Sequence, residues 1–166
     1  CFGTGVESKK MYSDVALNPN GDYHVEMGRE LAEKLGYEKD DLDNIPAASI
    51  DSFAGVGYYF DLANLKEGEH VLDLGSGSGM DVFIAALKVG NTGHVYGADM
   101  TDEQLKKSEV LRDGFEFKNV SFHKTYIEEL PFSDASFDAD LIEGAKIVTA
   151  ANLVELLASG AVSCTV

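Results

Sequence analysis

One stretch constrains this chain more than any other: Val71-Leu72-Asp73-Leu74-Gly75-Ser76-Gly77-Ser78-Gly79. A short apolar run with strand character passes directly into glycine at every second position, and a helix-period segment opens at Met80. A strand that ends in Gly-x-Gly-x-Gly and enters a helix makes a turn with little side-chain obstruction, where a ligand can approach the main chain. Glycine alone marks many ordinary turns, so the surrounding pattern has to carry the argument. Downstream that pattern alternates. A helix is predicted over 80–89 with a stop at Gly90, and a strand over 94–98. Thr101 and Gln104 fit a capping box that opens a helix running to about Asp113 and ending at Gly114. Strands are predicted over 120–123 and 137–142, a last helix over 149–158 and a fifth strand over 162–166. Regular strand–helix alternation predicts an α/β, Rossmann-like fold. Its sheet would be mostly parallel, with helices on both faces, and incomplete at the C-terminal edge.

Upstream the text is different. Residues 1–25 are turn-rich (Asn18-Pro19-Asn20-Gly21-Asp22) and read as a flexible arm. Met27, Leu31 and Leu35 recur every four residues and predict an amphipathic helix stopped by Gly36. A short acidic helix is expected over 38–44, before Pro46. Residues 49–60 are small and aromatic, with Gly55 and Gly57 making a bendable strip, and 62–65 close a further short helix. The chain therefore divides into an arm (1–25), a helical lead-in (26–66) and a partial Rossmann-like domain (67–166).

Charge narrows the partners. With 13 Lys and Arg against 29 Asp and Glu, the net charge of −16 repels phosphate backbones and anionic lipid, so neither nucleic acid nor a membrane surface is expected. A small or cationic ligand is easier to accommodate, and solubility alone also explains the acidity. Cys1 and Cys164 make no metal-ligand cluster, so no metal is expected. His24, His70, His94 and His123 are scattered without ligand spacing. The apolar run 82–87 is too short for a membrane span, and the first residues lack the order of a signal peptide, so the expected location is cytoplasmic.

Asp99 closes the second strand about 20 residues after the glycines, where an acidic side chain accepts hydrogen bonds from the hydroxyls of a ribose. Strand, glycines, helix and acid together predict nucleoside binding. A dinucleotide loop of the Gly-x-Gly-x-x-Gly type would need glycine where this chain has Met80. Asp81 then sets a carboxylate in the first helical turn, facing any pyrophosphate on that helix N-terminus. A ligand carrying an ammonium and a sulfonium meets no such penalty, which favours S-adenosylmethionine over a nicotinamide dinucleotide. Asp81 is equally well explained as compensation of its own helix dipole.

The run 71–79, with Asp99-Met100-Thr101, Tyr126-Ile127-Glu128-Glu129-Leu130-Pro131 and Ser136-Phe137-Asp138, resembles class I S-adenosylmethionine-dependent methyltransferases. Within that class it is most similar to the bacterial arsenite methyltransferase group, over roughly residues 30–140. The resemblance implies methyl transfer to a small-molecule acceptor, with S-adenosylmethionine as cofactor. Asp73, Gly75, Ser76, Gly77 and Gly79 would line its methionine part, beside Asp81. Asp99 would hold the ribose, Met100 would pack on the adenine, and Ile127 and Glu128 would border it. Tyr58 or Tyr59 would cover the sulfonium. Core packing is the ordinary alternative for Met100, Ile127 and the two tyrosines. No catalytic base is implied, since the sulfonium is an activated donor and orientation supplies most of the rate.

Two departures stand out. The family's thiols fall near the N-terminus, near Val56 and shortly after the fourth strand, and this chain has Val56 and Glu143-Gly144-Ala145 at the latter two places. A carbon, oxygen or nitrogen acceptor in a small molecule is therefore expected at least as much as arsenite. Past Leu141 the text stops resembling the family. That suggests a C-terminally truncated or frame-altered chain, or one that completes its sheet as a homodimer. A non-catalytic S-adenosylmethionine-binding remnant is the alternative function, and a nucleotide-dependent oxidoreductase a distant third.

Overall fold

The computed structural model describes residues 26–55, 57–126 and 137–142. The expectations for the arm 1–25, for Val56, for Ile127 and Glu128, and for the helix and strand after 142 lie outside the described residues. Four short helices form the lead-in: α1 (Gly28–Leu35), α2 (Lys39–Asp43), α3 (Ala47–Asp51) and α4 (Phe60–Ala63). The remainder runs β1 (His70–Leu74), α5 (Met80–Val89), β2 (His94–Asp99), α6 (Asp102–Gly114), β3 (Val120–Lys124) and β4 (Ala139–Ile142).

The strands form one parallel sheet in the order β3-β2-β1-β4. Register pairs Leu74 with Ala98 on one side and with Ile142 on the other, so the carboxyl ends of β1, β2 and β4 lie level. Successive connections step outward from β1 to β3, then the chain returns past β1 to β4. The reversal makes β1 and β4 the switch point, where open α/β sheets form their ligand crevice beyond the strand ends. The right-handed crossovers through α5 and α6 step in the same direction, which lays both helices on one face. The core agrees: Val71, Val95, Val120 and Phe122 share it with Phe83 and Val89 of α5 and Leu105 of α6.

The opposite face carries His70, His94 and His123 around Tyr96, whose ring lies 4.5 Å from His94 and 6.0 Å from His123. These histidines are scattered in sequence, yet the register of parallel strands brings three of them together. Burial depresses both His94 and His123 below the usual imidazole range.

Three local expectations needed correction. Residues 47–51 form α3, where the small and aromatic composition suggested only a bendable strip; Pro46 precedes the first helical residue, and its carbonyl accepts the Ser49 N–H at 2.9 Å. The last short helix is 60–63, starting two residues before the expected 62–65. The capping box at α6 is not formed. Thr101 sits at the N-cap without a side-chain cap bond. Its own N–H donates to Asp99 Oδ1 at 2.7 Å, while the Gln104 oxygen accepts the Ser78 hydroxyl at 2.5 Å. The Thr101 N–H is taken by a residue only two positions earlier, whereas Gln104 is drawn to Ser78, 26 residues away, a nonlocal demand that the local capping pattern did not contain.

The lead-in is bolted to α5. Lys88 donates to Asp41 of α2 at 2.8 Å and lies 5.5 Å from the Phe60 ring centre. Tyr37 is edge-on to Phe53, Tyr58 and Phe60 at 5.3, 4.9 and 6.2 Å. Edge-to-face pairs of this kind contribute about 0.5–1.5 kcal/mol each beyond area burial.

Candidate functional site

Apolar residues on both faces of β1 bury the strand and deliver the chain to Gly75 at the switch point. The turn is then fastened to the neighbouring strand: the N–H groups of Gly75 and Ser76 both donate to the Ala98 carbonyl, at 2.8 and 3.0 Å. Gly75, Gly77 and Gly79 all have positive φ (81°, 51° and 88°), a conformation that other residues adopt at a cost. Gly79 N–H closes on the Ser76 carbonyl at 2.8 Å, and α5 begins at the next residue.

Asp99 is the acidic group at this turn. Its Oδ2 accepts the Gly77 N–H at 3.0 Å and its Oδ1 accepts the Thr101 N–H at 2.7 Å. The carboxylate is therefore aimed at the mouth of the turn. Each of its oxygens has about two acceptor positions, so one on each remains for a ligand hydroxyl. A Cβ placed on Gly75 or Gly77 would meet no heavy atom within 4 Å among the described residues, so those residues leave the space above the turn open. Below the turn the packing is tight: Ser76 Oγ is buried with no hydrogen-bond partner among the described residues, and lies close to Gly97.

Asp73 is 4% exposed at the end of β1, and Met100 is partly exposed just past β2. Asp81, in the first turn of α5, accepts the Tyr37 hydroxyl at 2.7 Å. Loss of water raises its carboxyl from 3.8 to about 6, and the bond from Tyr37 opposes the rise. Tyr58 and Tyr59 stand apart in role. Tyr58 packs in the aromatic cluster of the lead-in, and its phenol is raised chiefly by burial. The ring end of Tyr59 folds back over Gly57.

Asp73, the glycines, Ser76, Asp81, Asp99 and Met100 thus gather at the carboxyl end of β1 and β2. Sequence reasoning missed Tyr37. No spacing rule joins it to Asp81, 44 residues away, and only the packing of the lead-in on α5 does so. The open turn carries its own test. Gly77→Ala should cost only about 1 kcal/mol of stability, the left-handed φ penalty. It should weaken any nucleoside bound above the turn tenfold or more, as read by titration calorimetry.

A parallel sheet with a glycine turn after its first strand, and an acid at the end of its second, defines a Rossmann-like nucleoside-binding domain. The methyltransferase domain family matches residues 65–159, and this chain belongs to it. S-adenosylmethionine is the cofactor that membership implies. Over 137 residues the chain is 37% identical to an arsenite methyltransferase of Halobacterium salinarum, covering 81% of this chain and 35% of that one. It is 48% identical over 81 residues to an arsenite methyltransferase of Aquipseudomonas alcaligenes, covering 45% of this chain and 23% of that one. The crystal structure of an arsenic(III) S-adenosylmethionine methyltransferase from Chlamydomonas reinhardtii superimposes with a TM-score of 0.55 at 33% identity, over 63% of this chain and 38% of that one. The chain spans about a third or less of the length of these curated relatives. Among the described residues no helix is long and apolar enough to cross a membrane.

Proposed function

We propose that this chain binds S-adenosylmethionine at the turn after β1 and serves methyl transfer to a small-molecule acceptor. One observation carries the reading: the Asp99 carboxylate is drawn over an open glycine turn by the N–H groups of Gly77 and Thr101. That geometry suits a ribose whose two hydroxyls donate to the remaining acceptor positions. The open space above Gly75 and Gly77 suits the methionine portion, and the partly exposed Met100 suits the adenine face. Asp81 meets the cationic part of the ligand, as does Asp73 from the end of β1. These acids suit an ammonium and a sulfonium, and they oppose a pyrophosphate at the N-terminus of α5.

Bound there, the cofactor supplies a methyl group already activated on sulfur. What remains to the protein is to hold donor and acceptor in line and keep water out, which requires no acid or base for an acceptor already deprotonated. The aromatic cluster of the lead-in, with Tyr58 within it, forms the apolar wall on the α5 side.

Titration calorimetry on the folded chain tests the reading. S-adenosylmethionine and its demethylated product should both bind, and NADH should not. Absence of heat with both adenosyl ligands would sink it. Arsenite with a thiol reductant is the first acceptor to assay, because the relatives carry that name. Val56 stands where that group has a thiol, so turnover with arsenite should fall far below that with a carbon, oxygen or nitrogen acceptor.

A further inference from the structure

Tyr37 belongs to the lead-in and Asp81 to the cofactor half, and their hydrogen bond joins the two parts at the first turn of α5, just past Gly79. The Tyr37 side chain is buried, 4% exposed, and its ring is fixed by three aromatic neighbours. Its hydroxyl lies within reach of Asp81 Oδ1 at 2.7 Å and of the Gly57 carbonyl at 3.3 Å. A phenol has one proton to donate, and here the shorter bond takes it.

We infer that Tyr37 is a positioning residue of the cofactor site, holding the Asp81 carboxylate in the ionised form that receives the cationic part of the adenosyl ligand. The inference rests on the S-adenosylmethionine reading above and adds to it a residue from outside the glycine-turn domain.

The chemistry has two states. With Asp81 ionised, the Tyr37 hydroxyl donates to it. With Asp81 protonated, the carboxyl becomes a donor, and the Tyr37 proton is free to turn to the Gly57 carbonyl. Burial drives toward the second state and places the balance at about 6, while the bond from Tyr37 drives toward the first. A cationic ligand beside Asp81 also favours the first state. Ligand affinity should therefore fall as pH drops through the Asp81 transition, and loss of the Tyr37 hydroxyl should move that transition upward.

Other titratable groups lie on the elements around Asp81. Asp41 of α2 and Lys88 further along α5 pair with each other at 2.8 Å. Tyr58 is held above the usual phenol range, chiefly by burial, and does not titrate near neutrality. Asp73 is the penultimate residue of β1, and Asp99 ends β2 with two N–H donors on its carboxylate. All of these, and the ligand's own ionisations, are common to wild type and to a Tyr37 variant, so the difference between the two profiles isolates the one bond.

The experiment is calorimetric titration of S-adenosylmethionine into wild type and Tyr37→Phe from pH 5.5 to 8. A hydrogen bond to a charged group is worth about one pH unit of transition, so the variant should match wild type at pH 8 and bind roughly threefold more weakly at pH 6.5. An equal loss at every pH would mean a merely structural tyrosine, and an unchanged profile would mean no role; either overturns the inference. A carboxyl ¹³C titration of Asp81 without ligand gives a second readout, with the midpoint raised by about one unit in the variant; an unmoved midpoint also overturns it. Should Tyr37→Phe fail to fold, 3-fluorotyrosine at position 37 keeps the ring and strengthens the donor. Both transitions should then move downward, and a failure to move counts against the inference. Absence of binding by wild type at every pH is a separate result, since it sinks the S-adenosylmethionine reading itself while the carboxyl titration still reports on the Tyr37 bond.

Discussion

Asp99→Ala should weaken S-adenosylmethionine by about a hundredfold or more while leaving the sheet assembled. The two ribose hydroxyls would each lose a charged acceptor, and hydrogen bonds to charged groups are worth about 1.5–3 kcal/mol apiece. Part of that is already committed to the protein, because the same carboxylate accepts the Gly77 and Thr101 N–H groups. Removing it frees two part-buried donors and slackens the turn, at about 1–2 kcal/mol of stability once water replaces the carboxylate. The two losses are separable. Thermal unfolding reads the structural one and calorimetry reads the binding one, so a variant that melts a few degrees lower but binds as wild type would remove Asp99 from the site.

Asp81→Asn should separate function from stability in the opposite direction. A carboxyl raised from 3.8 to about 6 favours the protonated folded state. Its stabilising contribution is complete below pH 3.8 and is lost as pH rises through about 6. Asparagine is neutral throughout and keeps an oxygen for the Tyr37 hydroxyl. The variant should therefore be more stable than wild type at pH 7.5, by about 1–2 kcal/mol given that Asp81 is only partly withdrawn from water, and indistinguishable at pH 4. Chemical denaturation at the two pH values reads the difference, and weakened S-adenosylmethionine binding at pH 7.5 should accompany the gain.

What the sequence made legible was local and periodic. Helix α5 was bounded correctly because glycine stands at both of its ends and its apolar residues are continuous. The four described strands were readable because each is short, carries apolar residues and lies between turn or helix signals. Asp99 was readable because its position relative to the glycines is set by the length of one strand–turn–helix–strand unit. What was hidden depends on packing between distant parts. Thr101 and Gln104 satisfy a capping pattern, yet Ser78, 26 residues before Gln104, donates to its side-chain oxygen. Tyr37 looked like one aromatic among many until the lead-in folded onto α5. The three histidines around Tyr96 share a face only because neighbouring parallel strands hold them in register.

Gly97→Val should be strongly damaging to the described core, for reasons that strand propensity would misjudge. Valine is a favoured strand residue and glycine a poor one, so intrinsic preference alone predicts stabilisation of β2. The space predicts the reverse. A Cβ at Gly97 would lie 2.6 and 2.7 Å from two carbons of the Phe122 ring and 2.9 Å from Ser76 Oγ. Phe122 has little freedom to retreat. Its ring is edge-on to Phe83 at 5.9 Å and would also crowd a Cβ on Gly79, at 2.9 Å. Overpacking of a fixed core costs about 1–3 kcal/mol, and valine adds two methyl groups to the clash, so about 3 kcal/mol or more is expected. For a chain of this size that lowers Tm by about 10 °C. Phe122→Leu should cost stability alone but recover part of the loss when combined with Gly97→Val, because the two changes share one volume. Strict additivity in that double-mutant cycle would show that Phe122 is not what excludes a side chain at Gly97. Because Ser76 is pushed by the same Cβ, the displaced turn should also bind S-adenosylmethionine more weakly, and this loss should persist in the Phe122→Leu background, which relieves only the ring clash.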